Sequence, residues 1–161
     1  MLLFVQLGEG PYFCDVGFGG LTLTAPLRLE PGVEQPTPHE VFRLLREDRE
    51  LVVQARLRAE WKSLYRFDLQ EQRQVDIEVL NFYVSEHPAS PFLTTLMAAR
   101  AAADRRFALL DNRFSVHYSN GRLEQRTLGS VAELREILTG TFGIEPPADP
   151  RLDAALGRLL R

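Results

Sequence analysis

The first seventy residues form a series of short extended runs separated by turn signals, and this narrows the fold more than any other feature. Leu2 to Leu7 reads as a strand, Gly8-Glu9-Gly10 as a turn, and Tyr12 to Val16 as the returning strand of a hairpin. Gly17-Phe18-Gly19-Gly20 follows as a bend. Leu21 to Leu29 is extended up to the turn Glu30-Pro31-Gly32, and the stretch from Gly32 to Pro38 reads as a surface loop. Val41 to Arg46, Leu51 to Leu57 and Trp61 to Leu69 complete the set, with Asp48-Arg49-Glu50 joining the first two. Val52 partly breaks the alternation of Leu51, Val53, Ala55 and Leu57. Runs of this length predict a small antiparallel barrel or sandwich.

The second half is mixed. Asp76 is placed to cap a helix from Ile77 to about Val84, ended by Pro88. Ser90-Pro91 carries a hydroxyl at an N-cap and proline at the first helical position, and the Ala- and Leu-rich segment Phe92 to Asp104 predicts a strong helix. Leu93, Leu96, Met97 and Arg100 would share one face of it. Arg106 to Leu110 and Arg113 to Ser119 read as strands, with Asn120-Gly121 turning the second into Arg122 to Leu128. Ser130-Val131-Ala132-Glu133 is a capping box, opening a helix to about Thr139 with Gly140 as its stop. Asp149-Pro150 opens a last helix.

Composition excludes several classes of function. With 45% hydrophobic and 25% charged residues the chain is globular rather than disordered. A formal net charge of -3 offers no broad attraction for nucleic acid or an anionic membrane, and no apolar run spans a bilayer. A single cysteine, Cys14, excludes an internal disulfide framework and a CxxC metal knuckle. His39, His87 and His117 form no metal-ligand spacing, so no metal is expected. These traits fit a cytoplasmic protein.

Asp15 stands out, because it interrupts an apolar strand directly before the glycine bend. A buried carboxylate is costly unless hydrogen-bonded or paired, so it either caps the bend or orients a catalytic partner. Cys14 points to the opposite face from Asp15, and a carboxylate beside a thiol would raise its pKa, so Cys14 reads as a packing residue. Gly17-Phe18-Gly19-Gly20 lacks the residues of a phosphate loop; it is either a tight turn or a backbone that a ligand approaches closely, with Phe18 as an apolar wall.

These residues carry a family likeness. Tyr12-Phe13-Cys14-Asp15-Val16-Gly17-Phe18-Gly19-Gly20 followed by Ala25-Pro26-Leu27 resembles the signature of the arylamine N-acetyltransferases. Asp76 and the run Asn81-Phe82-Tyr83-Val84-Ser85-Glu86-His87-Pro88-Ala89-Ser90-Pro91-Phe92 resemble a second stretch of that family, with Glu86 where threonine is common. Asn112 to Val116 and Leu128 to Phe142 continue the likeness in the same order.

The resemblance implies acetyl transfer from acetyl-CoA, as cosubstrate, to an arylamine or hydrazine, in xenobiotic metabolism, through an acetyl-cysteine formed by a Cys-His-Asp triad. Asp15 matches the triad aspartate, Phe18 a residue lining the acceptor pocket, and Gly17, Ser90 and Phe92 regions along the cosubstrate cleft. The implied fold is α+β: an antiparallel β-barrel at 1–90, an interdomain helix at 91–105 and an α/β lid at 106–161, in the cysteine-protease-like superfamily. Against the family pattern, the sequence starts just after the expected histidine, and the helical domain bearing the nucleophile is missing. A truncated, inactive chain is therefore expected, with the missing domain or a second chain supplying cysteine and histidine. The rival reading is a non-catalytic fragment that binds acyl-CoA or an aromatic ligand.

Overall fold

The structure, a computed structural model, describes residues 2–160. Over these residues it is α+β, with three sheets and three α-helices, and it divides into two compact units. The first unit comprises Met1–Gln70, Ala103–Arg105 and Tyr118–Gly121; the second comprises Glu71–Ala102, Arg106–His117 and Arg122–Arg161.

In the first unit, β1 (Leu2–Leu7) and β2 (Gly10–Asp15) form the expected hairpin, in register from Leu2 opposite Asp15 to Leu7 opposite Gly10. The strand expected over Leu21 to Leu29 shrinks to β3 (Leu27–Arg28), which pairs with β2. Its first part is held instead as a turn: Gly19 N–H donates to Thr22 Oγ1 at 2.7 Å, and Pro26 has no N–H to offer a ladder. Of the glycines in the bend, Gly19 alone needs glycine's backbone freedom, with φ 99°.

A second sheet has the order β4-β5-β6-β7, from β4 (Gln35–Pro36), β5 (Val41–Glu47), β6 (Glu50–Leu57) and β7 (Glu60–Phe67). The barrel is thus two sheets rather than one closed cylinder. Phe42 and Leu44 of β5 meet Val53 and Ala55 of β6 in a core that includes Phe13, Leu23 and Leu27. Val52 is buried too, so β6 is covered on both faces, which is why its alternation is imperfect.

Strand β7 is irregular. It pairs Tyr65 with Val53 but Ser63 with Gln54, leaving Leu64 as an extra residue in a β-bulge. Successive residues of a regular strand face opposite ways, yet Leu64, Tyr65 and Phe67 all pack against the core.

The second unit opens with α1 (Gln74–Glu86). It starts earlier than expected: Arg73 is the N-cap, and Asp76, three residues on, reaches back to accept the Arg73 N–H at 2.9 Å. None of its residues is buried.

The helix expected over Phe92 to Asp104, and with it the interdomain helix at 91–105, is not formed. Pro91–Leu93 is a single 3₁₀ turn, and Met97–Ala102 is strand β8. Alanine and leucine favour helix by only tenths of a kcal/mol each, so pairing decides the outcome. Leu96 N–H donates to the Asp111 carboxylate at 3.0 Å, and Leu96 C=O accepts Asp111 N–H at 2.8 Å, pinning the entrance to the strand. Leu93, Leu96, Met97 and Arg100 therefore share no helical face. The sheet order is β11-β10-β9-β8, with β9 (Arg105–Leu110), β10 (Arg113–Tyr118) and β11 (Leu123–Thr127).

Ser130 caps α2 (Val131–Glu136) by accepting Glu133 N–H at 3.2 Å. The chain then widens into a π-helical turn, Ile137–Phe142, and runs through Gly140 to stop at Gly143, with φ 70°. Leu134, Ile137 and Leu138 are its buried side. Asp149 caps α3 (Pro150–Arg158), accepting Arg151 N–H at 2.8 Å. No helix among the described residues is long and apolar enough to cross a membrane.

Candidate active site

Asp15 is the last residue of β2 and shares its inward face with Phe13, two positions earlier. It is only 4% exposed. Oδ1 accepts the backbone N–H of Gly17 at 3.0 Å, closing a turn over the start of the glycine bend. The bond fixes the rotamer, so Asp15 does cap the bend. A carboxylate has two oxygens, however, and this bond occupies one of them.

The side chain facing Asp15 is one that the sequence did not single out. Tyr65 of β7 directs its hydroxyl at the Asp15 carboxylate. That oxygen is shielded from solvent and closes no hydrogen bond of normal geometry. Burial, and then the neighbouring carboxylate, hold the phenol well above its ordinary pKa, so it is neutral at physiological pH. Two inward positions along each strand meet their counterparts: Phe13 packs on Phe67 with ring centroids 5.2 Å apart, while Asp15 faces Tyr65.

Phe18 leans on the other side of Tyr65, with centroids 4.6 Å apart and the rings tilted by 46°. It is 41% exposed, so part of the side chain is open to solvent. A Cβ added at Gly17 would meet nothing within 4 Å, leaving its backbone open to close approach. The structure therefore gathers Asp15, Gly17 and Phe18 in one unit and adds Tyr65. Cys14 is half-buried opposite Leu3, on the other face of β2 from Asp15.

Ser90 and Phe92 lie in the second unit. Ser90 is 2% exposed; its Oγ donates to Val84 C=O at 2.7 Å, and its N–H donates to His87 C=O at 2.8 Å. Both bonds tie the segment after α1 back onto the helix end, and Phe92 is left exposed. His87 stacks on Tyr83 at 4.9 Å, and its Nδ1 accepts Ala89 N–H at 3.2 Å. His39 Nδ1 bonds Thr24 Oγ1 at 3.1 Å, and His117 is exposed on β10. Among the described residues no group of three or more His, Cys, Asp or Glu side chains is placed to hold a metal ion.

Tyr65 was findable in part. Its alternation with Phe67 in an extended run marks an inward position. The pairing across strands that sets it against Asp15 has no local sequence signal.

Comparison with known proteins places these features in context. The sequence pattern of the N-acetyltransferase family matches residues 1–149. The chain is 43% identical over 144 residues to the arylamine N-acetyltransferase of Escherichia coli K12, covering 89% of this chain and 51% of that protein. It is 45% identical over 137 residues to the arylamine N-acetyltransferase of Mycobacterium tuberculosis H37Rv, covering 84% and 47%. Its fold matches the Mycobacterium marinum arylamine N-acetyltransferase, solved in complex with CoA, with a TM-score of 0.94 at 40% identity. That match covers 99% of this chain and 60% of the other. The chain spans about half the length of the curated relatives it matches.

Proposed function

The chain belongs to the N-acetyltransferase family, and we propose that it forms the aspartate-bearing part of an arylamine N-acetyltransferase. The reaction takes acetyl from acetyl-CoA to an aromatic amine or hydrazine in two steps. A cysteine thiolate attacks the acetyl carbonyl and CoA leaves as its thiol; the amine then attacks the acetyl-cysteine, giving the amide and restoring the thiol. The observation that carries this reading is the buried Asp15 carboxylate, fixed by the Gly17 N–H within a family-matching stretch.

An acetyl-cysteine route requires an imidazole that takes the thiol proton, and an oriented carboxylate holds that imidazole in the productive tautomer and stabilises its charged form. Asp15 does this work with the oxygen that Gly17 leaves open. Phe18 supplies an apolar wall for the acceptor ring, and the open Gly17 backbone a place for a ligand to come close; in the second unit, the exposed Phe92 offers the cosubstrate an apolar contact. Ser90 acts by holding its segment in place, since its hydroxyl is committed to Val84. No metal takes part, and the protein works in the cytoplasm.

The nucleophile and the imidazole come from a helical domain or a partner chain. Cys14 does not serve, because it lies on the strand face opposite Asp15. An assay of free CoA with acetyl-CoA and a simple arylamine tests this reading. The chain by itself gives no turnover above a buffer blank; with the part of the E. coli relative that this chain does not match added in trans, turnover appears and Asp15→Asn abolishes it. Turnover by the isolated chain, or indifference of the assembled enzyme to Asp15→Asn, defeats the proposal. Calorimetric binding of CoA without turnover in either form would favour a ligand-binding fragment instead.

A further inference from the structure

We propose that the open edge of β1 is a homodimer interface, on which β1 of a second copy pairs antiparallel about a two-fold axis at Val5. The inference is independent of the proposed function.

The edge follows from the strand register. Leu29 N–H donates to Pro11 C=O at 2.9 Å, so Pro11 and Phe13 turn their backbone polar groups toward β3. Gly10, Tyr12 and Cys14 then face β1 and bond their partners Leu7, Val5 and Leu3. Leu2, Phe4 and Gln6 are left with N–H and C=O pointing away from β2, along the outer edge of the sheet. Pro11, opposite Gln6, has no N–H with which to support the other phase.

Sheet edges are ordinarily blunted by brevity, bulges or charge. The other edge strands obey this: β3 and β4 are two residues long, β7 is bulged, and β8 and β11 carry Arg100 and Arg126. Strand β1 has six residues and no charge, and Leu3, Phe4, Val5 and Leu7 are all exposed. A strand apolar on both faces belongs inside a sheet, as β6 does.

The strand that completes this edge must itself be uncharged, since a charge placed there would lose water without gaining a partner. β1 meets that need. With the axis at Val5, Phe4 lies opposite the partner's Gln6 and exchanges both backbone bonds with it. Leu3 lies opposite the partner's Leu7, and Val5 opposite the partner's Val5, so the odd-numbered residues of both copies form one apolar row and no like charges meet. Six residues a side is far below the ~20–30 of a permanent interface, so the dimer is reversible.

Sedimentation velocity of the full chain over rising concentration tests this, with Val79→Ser, Leu80→Ser and Phe82→Ser present so that the exposed α1 does not contribute. The expected result is a monomer–dimer equilibrium without larger species, because a two-fold pairing closes on itself. Gln6→Pro removes an outward N–H while keeping every apolar side chain and every β1–β2 bond. It weakens the dimer about tenfold or more, since a bond is lost on each side of the axis. Gln6→Ala keeps the N–H and the dimer. Hydrogen exchange reads the same edge without a change at β1: the Phe4 and Gln6 amides gain protection as concentration rises, whereas the Val5 amide is protected throughout.

A chain monomeric at every concentration, as when the edge serves a strand of a different polypeptide, overturns the proposal. So does a dimer that Gln6→Pro leaves intact. If Gln6→Pro does not fold, exchange at Phe4 and Gln6 that ignores concentration overturns it instead.

Discussion

Strand β6 and helix α1 are both rich in large apolar side chains, and they meet opposite fates. In β6, Leu51, Val52, Val53 and Ala55 are all buried. In α1, Val75, Ile77, Val79, Leu80, Phe82, Tyr83 and Val84 are all exposed, Phe82 by 58%. Burial is set by what a residue packs against rather than by hydrophobicity. β6 lies between two hydrogen-bonded neighbours in its sheet, and its inward face meets side chains from β2, β3 and β5. The side chains of α1 alternate around most of its circumference, a pattern that ordinarily belongs to an enclosed helix.

Stability measurements give the sharpest contrast. Phe42→Ala or Leu44→Ala removes a fully enclosed side chain and is expected to cost about 3–5 kcal/mol by urea denaturation. Val79→Ser or Leu80→Ser in α1 is expected to stay within about 0.5 kcal/mol. Equal losses would erase the distinction between the two regions. The exposed helix should also bind a hydrophobic dye and drive concentration-dependent association, as contiguous apolar patches do. The triple change Val79→Ser, Leu80→Ser, Phe82→Ser reduces both, seen by fluorescence and sedimentation; an unchanged signal would place the sticky surface elsewhere.

Smaller losses are expected at two buried polar groups, one in each unit. Asp15→Ala strands the Gly17 N–H and costs about 1–2 kcal/mol, whereas Asp15→Asn keeps an acceptor and costs less. Ser90→Ala leaves Val84 C=O without its donor, at about 1 kcal/mol. If Asp15→Asn destabilised as much as Asp15→Ala, charge rather than hydrogen-bond acceptance would be holding the turn.

The pH dependences are smaller still and have opposite signs. Tyr65 ionises less readily folded than unfolded, so its contribution is intact below about pH 10 and is lost as pH rises beyond it, where the unfolded chain holds fewer protons. Tyr65→Phe flattens that alkaline slope. At the acid end, the Arg151 side chain first, and then its backbone N–H, hold the Asp149 carboxyl below its ordinary value. Its help to α3 is present above the ordinary carboxylate range and fades as pH falls through the lowered one. If the helical signal still faded in acid just as much in Asp149→Asn, the Asp149 carboxylate would not be the source of that fade.

The sequence was most legible where structure is local. The hairpin of β1 and β2, the strands β5 to β7, the Ser130 and Asp149 caps and the Asn120-Gly121 turn follow from neighbouring residues. It misled where distant pairing overrides propensity. Met97–Ala102 is alanine-rich yet extended, because β9 lies beside it and Asp111 anchors its entrance. Gly140 looked like a helix stop, but the added π-helical turn carries the chain on to Gly143. At the site, Asp15 was visible as a charge in an apolar strand. Tyr65 was not, because its significance depends on pairing across strands and on the extra residue, Leu64, just before it.

That surplus residue, Leu64, divides β7 into two halves with independent phase. Toward Trp61 the strand serves an outer decoration, where Arg43 and Arg56 sit over the indole at 4.1 and 5.6 Å. Toward Phe67 it serves the interior. A slip in the outer half can be taken up at the bulge like play in a joint, so the exterior can drift over generations of mutation while the phenol keeps its aim.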